Sequence, residues 1–318
     1  MFPVSLASFL SLFRMNTTVA QNTLSTAINS STQSSNTKLP PEYHMILLGI
    51  YSVVLVSGTI SLSLMMHILK SSSTSSTSIA VLNLIFAHFI FLITVPFRIY
   101  YHVAQKWYLG KGLCKVISGM IHIHMYMSFI FYVIILITRL MTFYHKAGQL
   151  ASFQRIHALL VSALVWLVVL IMVPCIIHFS YGQKSSADDY ECFHFGPSIH
   201  SSAKVFNYII STLIIVVATV LTALQASALR VLYRKHQGCT SQQDFGAQQK
   251  SLCFALIMVV CFIPYHVFRL YYVANINNTN ENINEVFLSL TTFNCLDMLT
   301  FLGRRTCYAC FLRKIVCE

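Results

Sequence analysis

Seven apolar stretches, each about the length of a bilayer crossing, leave this chain almost no choice of fold. They fall near Met45–Leu69, Ser78–Phe97, Val116–Thr138, His157–His178, Lys204–Leu229, Leu252–Val273 and Val286–Leu302, and a helical pass needs about 20 largely apolar residues. Buried helices of a water-soluble protein keep a polar face at helical period, whereas these runs are apolar nearly all round. Composition agrees: 56% of residues are hydrophobic and 9% charged, against about 25% charged in a soluble domain. The expected architecture is an all-α membrane protein. A seven-helix transmembrane bundle occupies residues 43–303, behind a tail over 1–42 and ahead of a short amphipathic helix over 304–318.

The segments between the runs set the orientation. Asn16, Asn29 and Asn277 each begin an Asn-x-Ser/Thr glycosylation acceptor, which is used only outside the cytosol. Seven passes place the N-terminus and the Asn277 loop on that same outer face. The opposite segments hold more than half of the 21 Lys and Arg residues and few acidic ones, Asp244 and Glu318 among them. The net charge of +12 thus reads as a positive-inside bias, with no nucleic-acid partner implied. Residues 16–40, rich in Ser, Thr and Asn, predict a disordered, glycosylated tail. Val4–Phe13 has the apolar core of a secretory signal without a basic start, and Met15 stands as an alternative start. No internal repeat of the kind that builds transporters is visible.

The cysteines sort by face. Cys114 begins the third run and Cys192 lies in the polar loop before the fifth, so an oxidising exterior lets them pair, with Cys175 as the competing partner. A bridge of that span stabilises by about 4 kcal/mol in the chain-entropy picture. Cys307, Cys310 and Cys317 lie instead among Arg304, Arg305, Arg313 and Lys314 just after the last run. That setting suits palmitoylation of an interfacial helix, or unmodified thiols.

Charges near the outer ends of spans are costly and suggest function. Arg98, Lys204 and Arg269 hold such positions, with His122 and His266 about a turn deeper. A guanidinium can clamp a phosphate or carboxylate bidentately; the alternative is that these side chains snorkel to the surface. No carboxylate in the outer halves is expected to neutralise Arg98 and Arg269, so an anionic ligand is expected. The histidines His122, His124, His178, His194 and His266 match no metal-ligand spacing, and neither metal nor cofactor is expected. A transporter would need a polar path through the bilayer. An intramembrane protease would need a catalytic pair, which the lone deep carboxylate Asp297, or Ser128 with His124 on one helix, does not supply.

Over residues 43–317 the sequence resembles the rhodopsin-like G-protein-coupled receptors. Cys114 and Arg139 stand at the family's third-span interval, and Trp107, Trp166 and Pro264 fall in register with family positions. Cys261-Phe262-x-Pro264-Tyr265-His266-x-x-Arg269, together with Thr94-Val95-Pro96-Phe97-Arg98, is similar to the nucleotide and lipid-mediator branch. The resemblance implies a plasma-membrane receptor that passes an extracellular signal to heterotrimeric G proteins and arrestin. Pro264, by removing a helical hydrogen bond, would either let the inner end of the sixth helix swing outward or leave a static kink.

Departures from the family pattern bear on the switch. Thr138-Arg139-Leu140 replaces Asp-Arg-Tyr, so the carboxylate that holds the arginine is missing. Asp297-Met298-Leu299-Thr300-Phe301 replaces Asn/Asp-Pro-x-x-Tyr, Gly58-Thr59 replaces Gly-Asn, and the fifth span has no proline. Asp244, 20 residues before Pro264, is expected either to pair with Arg139 instead, a brake worth about 1 kcal/mol near water, or to be a solvated loop residue. This leaves room for an atypical receptor that is constitutively active or that binds ligand without G-protein coupling. The family's core sodium position holds His88, Ser128 and Asp297 with Asn294 nearby. A nitrogen in place of an oxygen argues against sodium, and His88 is expected either to share a proton with Asp297 or, neutral, to bond Ser128.

Overall fold

A computed structural model of the chain describes residues 41–69, 76–144, 151–180, 192–193, 201–235 and 243–297. Asn16, Asn29, His194, Cys307, Cys310, Cys317 and the expected helix over 304–318 lie outside these residues, as do the side chains of His178 and Asp244.

The fold is all helical: α1 (Pro41–Leu69), α2 (Ser76–Ala104), α3 (Lys111–Tyr144), α4 (Ala151–Ser180), α5 (Ser201–Lys235), α6 (Gln243–Ala274) and α7 (Asn278–Leu290), followed by a 3-10 turn over Thr291–Leu296. Without water, a lipid-exposed backbone must satisfy its own hydrogen bonds, which selects helices. The hydroxyls obey the same demand. Ser63 and Thr59, Thr138 and Thr142, and Thr219 and Thr222 all donate back to carbonyls one turn earlier.

Burial separates the core helices from the periphery. In the most apolar stretches of α2 and α3, 61% of residues are buried, against 28% in α1 and 17% in α4. Apolar residues of α4 such as Leu160, Leu164 and Leu167 are exposed, the pattern of a helix facing lipid tails. Helix α3 runs through the centre and packs on α2, α4, α5, α6 and the 3-10 turn. Small residues set the closest approaches. A Cβ on Gly58 would lie 3.0 Å from Leu92 and 3.7 Å from Cys295, and one on Gly119 would lie 3.0 Å from Ile177. Between α2 and α4, Trp166 Nε1 donates to Asn83 Oδ1 at 2.9 Å, and Asn83 Nδ2 donates to Ser162 at 3.1 Å.

Among the described residues six helices, α1 to α6, are long and apolar enough to cross a membrane. The seventh departs from its expected range. Instead of beginning near Val286, it begins at Asn278, where Asn277 Oδ1 accepts from the Asn280 amide at 2.7 Å. It then tightens to 3-10 geometry at Thr291, where the Thr291 and Thr292 hydroxyls donate to the carbonyls of Leu288 and Ser289. Hydroxyls that reach back three residues compete with the ordinary helical ladder. The early start adds two turns carrying Glu281 and Glu285.

One end of the bundle is closed by the Cys114–Cys192 disulfide. Beside it, Phe193 adopts φ +73°, a conformation that bulky residues rarely hold. Its ring packs edge-on against Tyr101 and Trp107, while Trp107 Nε1 donates to the Gly110 carbonyl at 2.8 Å.

Candidate functional site

At the disulfide end, α3 to α7 surround a cavity whose polar wall includes Arg269, His122, Asn207, Asn284, Glu281 and Glu285. Val173, Ile176 and Ile177 of α4, Phe206 of α5 and Leu288 of α7 make the apolar part. Arg269 is fixed from two sides: its Nε donates to Asn207 Oδ1 at 3.1 Å, and its guanidinium carbon lies 5.1 Å from the centre of the Tyr272 ring. Together these hold a cation in the wall of a half-apolar cleft.

Of the five expected ligand residues, two line this cavity and three do not. His122 and Arg269 are in the wall. Lys204, in the first turn of α5, is half-buried outside it. His266 is buried, with Nδ1 3.2 Å from Ser211 Oγ, and so ties α6 to α5.

Arg98 requires a correction. It is fully buried, and Glu285 lies against it, Oε1 accepting from Nη1 at 2.9 Å. Nη1 also donates to Tyr51 Oη at 3.0 Å and Nη2 to the Ile117 carbonyl at 3.1 Å. Phe193 covers the guanidinium at 4.6 Å. The expectation that no carboxylate neutralises Arg98 thus fails for a physical reason: Glu285 was placed just beyond the seventh span, whereas α7 starts early enough to carry it into the bundle. Arg98 ties α1, α2, α3 and α7 together. The missed signal was the spacing of Glu281 and Glu285, one helical turn apart behind a good N-cap residue.

Deeper in the bundle, a buried polar cluster occupies the junction of α2, α3 and the 3-10 turn. His88 Nε2 lies 3.5 Å from Asp297 Oδ1, the proximity expected from sequence. The expected neutral alternative, a bond from His88 to Ser128, is replaced. His88 Nδ1 instead faces His124 Nε2 at 2.8 Å and Cys295 Sγ at 3.6 Å, while the buried Ser128 hydroxyl has no hydrogen-bond partner among the described residues. His124 stacks on Phe91, which fixes its ring plane. Tyr132, also missed, donates its hydroxyl to Asp297. Asn294 is fully buried beside this group in sequence.

Towards the other end of α3, Arg139 is half-buried and has no acidic partner among the described residues. Its neighbour Thr138 spends its hydroxyl on the Ile134 carbonyl at 2.7 Å. Gln225 of α5, fully buried, donates to the Leu136 carbonyl of α3 at 3.0 Å. Pro264 sits inside α6, which is one continuous helix from Gln243, as the expected lever requires. The aromatic rings of Phe129, Tyr132 and Phe262 pack α3 against α6 on the same side of the bundle.

Residues 61–298 match the family described as 7 transmembrane receptor (rhodopsin family). The chain is 36% identical to the human protein named "Probable G-protein coupled receptor 141" over 278 residues, covering 84% of this chain and 91% of that one. It is 26% identical to "Probable G-protein coupled receptor 34" of Pan troglodytes, over 84% of this chain and 74% of the relative. With the lysophosphatidic acid receptor 6 of Gallus gallus it shares 25% identity, over 75% of this chain and 80% of the relative. This chain therefore belongs to the rhodopsin family of seven-transmembrane, G-protein-coupled receptors.

Proposed function

We propose that the receptor sits in the plasma membrane with its disulfide end outside and responds to an amphiphilic anion whose acidic head docks on Arg269. The observation that carries this reading is a guanidinium held in a cavity wall by Asn207 and Tyr272, in a cavity also lined by apolar residues of α4 and α5. An acidic group gains a charge-assisted, bidentate contact there, and an acyl chain gains the apolar wall. A lipid mediator suits this wall better than a nucleotide. The relative named for lysophosphatidic acid supports the same chemistry. Glu281 and Glu285 narrow the choice by disfavouring a ligand that spreads negative charge over the α7 side.

Signal transfer to heterotrimeric G proteins, and then arrestin, would run through the Pro264 helix. In cells expressing the receptor, second-messenger output is measured against lysophosphatidic acid, a nucleoside diphosphate and a cationic arylamine. The reading expects a response to the acidic lipid that Arg269→Ala weakens by at least tenfold, with surface expression unchanged. A response confined to the cationic amine would overturn it.

A second reading, appreciable basal signalling, is favoured by Thr138, which stands beside Arg139 without a carboxylate and donates its hydroxyl to the Ile134 carbonyl. The Arg139–Asp244 brake belongs to this reading, since α6 begins in time to carry Asp244.

A further inference from the structure

Three side chains from three different segments converge where no ligand motif is legible in the sequence. His88 of α2, His124 of α3 and Cys295 of the 3-10 turn are all buried, with their donor atoms within 4.8 Å of one another. The two nitrogen-to-sulfur distances are 3.6 and 3.5 Å. Bond lengths of about 2.0–2.1 Å to nitrogen and 2.3 Å to sulfur put those edges at about 3.6 Å around a tetrahedral ion. The nitrogen-to-nitrogen distance of 2.8 Å is about half an ångström shorter than such an ion requires, so the two imidazoles part by that much on binding.

Two further features favour an ion. Ligating histidines commonly turn their other ring nitrogen to a carboxylate, and His88 Nε2 faces Asp297 Oδ1 at 3.5 Å. Charge also balances. A divalent ion, the Cys295 thiolate and the Asp297 carboxylate sum to zero, the condition under which charges tolerate burial at this depth. Ser128, one turn along α3 from His124, and Asn294, next to Cys295, add buried polar atoms with no hydrogen-bond partner among the described residues. Buried groups of that kind are rare.

We propose that His88 Nδ1, His124 Nε2 and Cys295 Sγ bind one borderline or soft transition-metal ion, Zn²⁺ being the natural candidate. Asp297 is a positioning residue that acts through His88. Two nitrogens and a sulfur suit zinc or copper and do not suit sodium, which takes oxygen ligands. Binding removes the Cys295 thiol proton to solvent and leaves one coordination position without a protein ligand. The ion would pin α2, α3 and the 3-10 turn to one another at the centre of the bundle.

The test uses the full-length receptor in lipid nanodiscs, equilibrated with micromolar zinc, desalted, and counted for metal by mass spectrometry. Wild type should retain about one zinc per receptor and Cys295→Ser or His124→Gln less than about a fifth of that. Zinc should raise the melting temperature of wild type alone. Replacing zinc with cobalt should give a thiolate-to-cobalt charge-transfer absorption, a readout that depends on no variant being folded. Asp297→Asn should keep the absorption but weaken the metal by tenfold or more. Equal zinc in wild type and Cys295→Ser, or cobalt binding without the thiolate band, would mean an adventitious ion only and overturn the proposal. No retained metal in wild type would overturn it as well, leaving a hydrogen-bonded pair of imidazoles.

Discussion

Arg98 is the residue on which the disulfide end depends. Its guanidinium donates to a carboxylate, a phenol and a carbonyl in a fully buried site. Removing one partner of such a pair leaves an uncompensated charge, whereas replacing both with apolar groups of similar volume is often neutral. Glu285 is partly exposed, 18% at its side chain, so the penalty is trimmed by water. Glu285→Ala should lower the unfolding free energy by about 2–3 kcal/mol. The double change Arg98→Met with Glu285→Leu should recover most of that loss, read by thermal melting of purified receptor in one detergent. Equal losses in the single and double variants would show that the pair is not the source of the effect. Sequence spacing exposed the cation but not its partner, because a carboxylate 187 residues away becomes a neighbour only once the start of α7 is known. Tyr132 and Cys295 were silent for the same reason. Nothing in their local sequence separates a tyrosine or cysteine packed in an apolar core from one bonded to Asp297 or facing two imidazoles.

Helix α7 shows what was and was not legible at the scale of an element. The six spans that precede it were legible because a bilayer demands length and apolarity, and both are properties of sequence alone. Their central regions coincide with α1 to α6, while the helices themselves run beyond the apolar stretches by several residues. The seventh span was displaced because α7 is amphipathic, with Glu281, Asn282, Asn284 and Glu285 all facing into the protein to some degree; a search for apolar runs passes over such a segment. Its start is set by Asn277, whose side-chain oxygen caps the Asn280 amide. Asn277→Ala should therefore destabilise by about 1 kcal/mol, while Asn277→Asp, which keeps a capping oxygen, should cost about nothing. Both changes remove the glycosylation acceptor, as does Thr279→Ala, so electrophoretic mobility and melting temperature separate the two roles. A melting loss shared by all three variants would assign stability to the glycan and not to the cap.

At the scale of the whole molecule, α3 is the axis on which α2, α4, α5, α6 and the 3-10 turn pack. Its disulfide end carries Cys114, Ser118 and His122, its centre His124, Ser128 and Tyr132, and its far end Arg139. The Arg98 network, the buried histidine cluster and the Gln225 bond all touch it. Ring contacts to α6 through Phe129, Tyr132 and Phe262 place the lever helix directly against this axis. Under the proposed reading a ligand on Arg269 would act on the disulfide end of α6, and Pro264 lies between that residue and the far end. In the proposed brake, a solvent-near Arg139–Asp244 pair contributes about 1 kcal/mol at most. Asp244→Ala should then raise ligand-free second-messenger output severalfold over wild type at matched surface expression; output near zero in both forms would end the brake account. The most direct test of receptor function is guanine-nucleotide exchange on purified heterotrimeric G proteins by the purified receptor in nanodiscs. Exchange should exceed the receptor-free rate without ligand, rise further with lysophosphatidic acid, and lose that further rise in Arg269→Ala. Exchange that stays at the receptor-free rate for every G-protein class, with folded receptor and with or without the lipid, would contradict it.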